Sequence, residues 1–164
     1  MMPQDIDVSA AAVIRAAQKS GVMVSTAESC TGGLVSAALT AIAGSSAVLD
    51  RGFVTYSNEA KIELLGVTPE LLTEYGAVSE PVARAMALGA VVRSRGAASV
   101  SITGVAGPGG GTVAKPVGLV HFAAVDPGGA VVHVERRFGD IGRDAVRLES
   151  VRVALDLLLQ AVTA

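Results

Sequence analysis

Two short stretches bring together groups that could supply a nucleophile and a base. The first is TAESCTGG at residues 26–33, where Glu28, Ser29, Cys30 and Thr31 follow an apolar run and Gly32 and Gly33 come next. The second is GSSAVLDRGFVTYSNEAK at residues 44–61, which carries Ser46, Tyr56 and Lys61. An uncharged lysine can take the proton of a serine hydroxyl and turn it into a nucleophile. An ordinary lysine has a pKa of about 10.4 and is neutral at pH 7 in only about one molecule in two thousand. Burial or a neighbouring cation must therefore depress it before the chemistry is useful. Read individually, the same residues have plainer roles: Ser46 capping a short helix, Tyr56 filling the core, Lys61 solvated.

Two further stretches suit ligand binding. SITGVAGPGGG at residues 101–111 delivers Thr103 and then five glycines within eight residues, Gly104 to Gly111, a density that costs backbone entropy unless the chain must pass close to something. GDIGRDAVR at residues 139–147 sets Arg143 and Arg147 four apart, and a guanidinium fork matches carboxylates and phosphates. Free N–H groups at the start of the helix after TAESCTGG would attract an anion, with Gly32 and Gly33 allowing close approach; Ser29 or Thr31 as a simple helix cap is the alternative. Cys30 is a competing nucleophile, since a thiol near a helix start can lose its proton more easily. His121 and His133 lie in expected strands without partners at metal-ligand spacing. No metal or other cofactor and no Ser-His-Asp triad are therefore expected.

These residues need a scaffold that gathers strand ends. Helices are expected over 7–20, 32–44, 58–66, 68–76, 79–96 and 144–162, with Asp7, Thr68 and Ser79 as caps and Pro69 and Pro81 in first turns. Strands are expected over 22–27, 52–57 and 97–104, followed by a hairpin of 118–125 and 130–138 around DPGG. Early alternation of helix and strand followed by a late hairpin predicts a three-layer α/β/α domain with a mixed sheet. Beyond the carboxyl ends of the parallel strands the small polar residues should converge on one crevice.

The 164 residues suit one domain over 1–164. Apolar residues make up 51% and aromatics 3%, so the core must be built from Ala, Val, Leu and Ile. The net charge of −2, with 13 basic residues spread along the chain, offers no stripe for a phosphodiester backbone, and nucleic acid is not an expected partner. No apolar run reaches the roughly 20 residues that span a bilayer, the N-terminus lacks the order of a signal peptide, and the single cysteine cannot close an internal disulfide. A cytoplasmic protein without membrane contact is the expectation.

Together, TAESCTGG, GSSAVLDRGFVTYSNEAK, GAVSEPVA and SITGVAGPGGG with KPVGLV resemble the CinA C-terminal domain family, the nicotinamide-mononucleotide deamidases, over almost the whole chain. The resemblance implies a five-stranded mixed sheet. It also implies an amidohydrolase that converts nicotinamide mononucleotide and water to nicotinic acid mononucleotide and ammonia in pyridine-nucleotide salvage. By the same resemblance Ser46 is the nucleophile, Lys61 its proton acceptor and Tyr56 their neighbour, while Glu28, Ser29, Cys30, Thr31, Gly32, Gly33, Thr103, Gly104 and Arg143 line the substrate site. Ser29 stands next in line for attack, and Arg147 competes with Arg143. Gly109 stands where relatives often have Asp, and GDIGRD departs from their usual Gly-Asp-Arg. The family also implies a homo-oligomer, with a dimer as the simplest case. A non-catalytic module that senses a nucleotide or phosphate ligand is the competing expectation.

Overall fold

The computed structural model describes residues 2–164. Helix α1 (Gln4–Ser20) leads into β1 (Val24–Glu28), and α2 (Leu34–Thr40) and a single 3₁₀ turn (Ser45–Ala47) precede β2 (Leu49–Val54). Then follow α3 (Asn58–Leu65), α4 (Pro69–Tyr75), α5 (Glu80–Val92), β3 (Ala98–Gly104), β4 (Leu119–Val125), β5 (Val131–Arg137) and α6 (Arg143–Thr163). The strands form one sheet in the order β2-β1-β3-β4-β5. The first three are mutually parallel, and β4 and β5 run antiparallel. This is the mixed five-stranded α/β arrangement expected from the sequence.

Alternation along the strands assigns the two covering layers. On β1, Val24 joins the core shared with α1, α2 and α6, whereas Ala27 joins the cluster built by α3, α4 and α5. On β3, Val100 and Ile102 face the first layer. The intervening Ser99 and Ser101 donate to the carbonyls of Ala87 and Ala83 on α5. These hydroxyls let the helix lie close to a buried strand while satisfying polar groups that would otherwise be costly. A chain nearly free of large aromatics packs its layers in this way, alanine against serine.

Some boundaries differ from expectation, with local causes. Helix α1 begins at Gln4 rather than Asp7, because Pro3 ends the extended entry and its carbonyl accepts from Ile6 and Asp7. Strand β2 starts three residues earlier than its glycine suggested, since Leu49 already pairs with Val24, and it stops at Val54, which leaves Tyr56 in the following loop. Gly52 sits within the strand because a Cβ there would stand 2.9 Å from Thr26 Oγ1. The β4–β5 hairpin reverses at the end of the sheet remote from the parallel strands' carboxyl ends, and its Asp126 and Ala130 border a small hollow with Gln160 and Ala164 of the last helix.

Candidate active site

Glu28 and Ser29 are consecutive at the end of β1, and strand alternation sends them to opposite faces of the sheet. Glu28 is fully buried on the α2 side. Its carboxylate accepts from the N–H groups of Gly33 (3.2 Å), Val35 (2.9 Å) and Ser36 (3.0 Å). The open amide cradle expected at this helix start is thus already filled by the protein's own anion, which satisfies the orphan donors of the first turn. Neither Ser29 nor Thr31 caps α2. Gly32 and Gly33, at φ of +59° and +101°, shape the turn that lets Glu28 reach back.

Ser29 faces the other layer, where α3 presents Lys61. The helix is set by Ser57, whose side chain accepts from the Ala60 N–H, and ends at left-handed Gly66. Lys61 is 1% exposed, and its Nζ lies 3.0 Å from Ser29 Oγ and 2.8 Å from the Thr55 carbonyl oxygen. No carboxylate is among these partners. Burial therefore pushes the Lys61 amine below the ordinary lysine range. The lysine is neither solvated nor ion-paired, which is the condition set above for a lysine base.

Ser46 is not part of this arrangement. It is exposed on the 3₁₀ turn before β2, whereas Lys61 follows the end of that strand. Six extended residues at about 3.3 Å each put roughly 20 Å between them. The pairing of Ser46 with Lys61 that the resemblance implied is therefore not what the fold brings together within one chain: the intervening strand β2 carries Ser46 to its far end, and Ser29 stands beside the lysine instead. Cys30 adjoins Ser29, but burial pushes its thiol up to about 12, which leaves it protonated and weakly nucleophilic.

The pair stands at the head of a cleft of about 310 Å³ beyond the carboxyl ends of the three parallel strands. Thr103 and Gly104 from β3 border it, as do Tyr56, Asn58 and Gly107. Thr103 Oγ1 donates to the Ala77 carbonyl at 2.8 Å, extending the hydroxyl series of β3 and tying that wall to the segment before α5. Gly104 is glycine because a Cβ would press on Val120 and on the Leu119 carbonyl of β4. Arg143 closes the outer side: its Nη1 donates to the Gly107 carbonyl at 2.7 Å and its Nη2 to Tyr56 Oη at 2.9 Å. Tyr56 is 63% exposed, so it lies at the mouth rather than in the core.

Of the two arginines, only Arg143 borders the cleft. Arg147, one turn later, donates to the Cys30 and Thr31 carbonyls behind it. Asn58 and Ala77 escaped the sequence reading, although Asn58 lies three residues before Lys61 and thus on the same face of α3. The two histidines hydrogen-bond each other, His121 Nδ1 to His133 Nε2 at 2.9 Å, and do not meet Ser29.

Residues 7–162 match the family described as CinA C-terminal domain. The chain belongs to the CinA C-terminal domain family. Within it, the chain is 53% identical over 141 residues to the nicotinamide-nucleotide amidohydrolase PncC of Escherichia coli (strain K12), covering 85% of this chain and 84% of that protein. A CinA-like protein of Parasynechococcus marenigrum is 51% identical over 94% of this chain, but this chain spans only 37% of that longer protein. The crystal structure of competence/damage inducible protein CihA from Agrobacterium tumefaciens superposes with a TM-score of 0.97 at 55% identity, covering 100% of this chain and 99% of that one. The described fold is thus the CinA fold throughout.

Proposed function

We propose that this CinA-family chain is an amidohydrolase that converts nicotinamide mononucleotide to nicotinic acid mononucleotide and ammonia, with Ser29 as nucleophile and Lys61 as its base. The buried, unpaired Lys61 amine 3.0 Å from Ser29 Oγ carries the mechanism, and the likeness to PncC supports the substrate. With Lys61 neutral, the Ser29 hydroxyl donates to the amine and loses its proton to it as Oγ adds to the carboxamide carbon. The Lys61 ammonium returns that proton to the nitrogen, ammonia leaves, and an ester remains on Ser29. Water, deprotonated by Lys61, cleaves the ester and releases the acid. The Thr55 carbonyl holds the amine in place through each transfer, since it accepts from Nζ whichever way the other proton moves.

The nucleotide's phosphate goes toward Arg143 and the glycine loop, because Glu28 occupies the start of α2. Arg143 carries a fixed cation at the cleft's mouth and already spans Gly107 and Tyr56, so an anion arriving there meets a fork held in place. Tyr56 orients that arginine in this reading, and its exposed hydroxyl has no part in the proton path. Salvage of pyridine nucleotides in the cytoplasm is part of the same proposal, as is a homo-oligomer, to which the free edge of β2 and exposed Val54 and Leu64 offer surface; sedimentation checks the latter.

The test is incubation of the purified chain with nicotinamide mononucleotide. Stoichiometric ammonia and nicotinic acid mononucleotide are expected, with much less product from free nicotinamide. Binding without ammonia would instead make the chain a nucleotide sensor.

A further inference from the structure

The turn that presents Ser29 is gripped from both sides by charged side chains. On one side the Glu28 carboxylate takes the N–H groups of Gly33, Val35 and Ser36. On the other, Arg147 donates from Nε to the Cys30 carbonyl at 3.1 Å and from Nη2 to the Thr31 carbonyl at 3.3 Å. One anion thus holds the donors that follow the turn, and one cation holds the acceptors within it. The guanidinium lies against the turn closely enough that a Cβ on Gly32 would stand 3.4 Å from Nη2. Its helix is anchored independently, with Val146 and Ser150 on either side fully buried and Val146 in the main core.

We infer that Arg147 is a positioning residue for the attack by Ser29, working with Glu28 to fix the turn and making no contact with substrate. This rests on the reading of Ser29 as nucleophile. The two arginines of α6 then divide the work: Arg143, facing the cleft, receives the anionic end of the ligand, and Arg147, one turn further along, braces the backbone from behind. A guanidinium suits the second task because its planar fork presents two donors in a fixed geometry to two adjacent carbonyls, whereas a lysine would reach them from a single point on a flexible stem. Since Ser29 precedes the braced peptides by one residue, slack in them moves Oγ relative to both Lys61 and the substrate carbon.

The decisive experiment compares kcat and KM for nicotinamide mononucleotide in Arg147→Lys, Arg147→Ala and Arg143→Ala. Misplacement of a reacting group by about 1 Å costs on the order of 100-fold, so kcat in Arg147→Lys is expected to fall by roughly that factor while KM stays within about twofold. Arg143→Ala is expected to do the reverse and raise KM. Guanidinium chloride at non-denaturing concentration should restore part of the kcat of Arg147→Ala, because the free ion can refill the vacated fork. Should Arg147→Ala fail to fold, Arg147→Lys alone still decides through its split between kcat and KM. A raised KM with kcat retained would make Arg147 a substrate ligand and overturn the inference. A lowered melting temperature with unchanged kcat would reduce it to a fold residue and overturn the inference equally. If the unmodified chain releases no ammonia, the hydrolase reading itself fails and this inference falls with it; an active parent with fully active Arg147→Lys removes the positioning role alone.

Discussion

Gly89 lies in the interior of α5, where alanine would ordinarily be the better helix former by about 1 kcal/mol. Here Gly89→Ala is expected to do harm. A Cβ at this position would stand 2.9 Å from the carbonyl carbon of Leu65 and 3.1 Å from its Cα, and closer still to its oxygen. That oxygen is also held by Arg93 Nη1 at 3.1 Å, so the end of α3 is pinned against the methyl group. Restoring ordinary contact with that oxygen requires α3 to retreat by roughly 1–1.5 Å, and overpacking of this kind costs roughly 1–3 kcal/mol. Set against the gain in helix propensity, the net loss is about 0–2 kcal/mol, and a domain of this size responds by about 2–4 °C per kcal/mol. The effect on rate is larger, because Lys61 lies one turn before Leu65 on the same short helix and moves with it. A shift of about 1 Å at Nζ costs up to roughly 100-fold in kcat. Thermal unfolding and steady-state ammonia release, measured on the same preparation, should show a drop of a few degrees beside a loss of at least about tenfold in kcat. A variant that melts higher than the parent and keeps its kcat within about twofold would show that α3 is free to yield and that the amine's position is not set by this contact.

Ser29→Ala should remove several orders of magnitude of turnover with ligand affinity retained, while Ser46→Ala should leave the rate near that of the parent; inverted results in an ammonia assay would return the nucleophile to Ser46. Cys30→Ala should keep most of the activity and thiol reagents should react slowly, since the thiol stays protonated with its pKa pushed up to about 12. Activity should rise with pH and level off below the ordinary lysine range, because Lys61 must be neutral to act and burial lowers its pKa; a plateau reached only near the unperturbed value would contradict its burial. Between that lowered pKa and the unfolded value the unfolded chain binds the extra proton, so this group's contribution to stability rises with pH within that window, and denaturant titrations of Lys61→Met should show the slope reduced.

The architecture was legible because its signals are local and redundant. Proline after Ser79, glycine after Ser20 and DPGG between two β-prone runs each mark a boundary by backbone chemistry alone, and the alternation of helix and strand left few ways to arrange them. The cleft was legible for a related reason: small polar residues closed the three parallel strands. The pairing within it was less so. Ser46, Tyr56 and Lys61 look like neighbours along the chain, yet β2 separates the first from the last, and distance along a strand does not show in residue spacing until both strand ends are known. Glu28 reads as a candidate ligand because it is a carboxylate among small polar residues. Its actual partners are amides five to eight residues later, which only the folded turn brings within reach. Arg147 is harder still, since its acceptors lie more than a hundred residues earlier.

The hairpin between β4 and β5 turns at Gly128 and Gly129, both exposed, at the end of the sheet away from the cleft. Because the strand ends, the glycine loop and the first turn of α6 all gather at the opposite end, a tether installed at this tip would leave the mouth open to bulk solution. A cysteine or affinity tag inserted there offers a way to immobilise the protein on a bead or electrode in one orientation. Cys30 is buried and burial pushes its thiol pKa up, so the new residue should be the one a maleimide labels first.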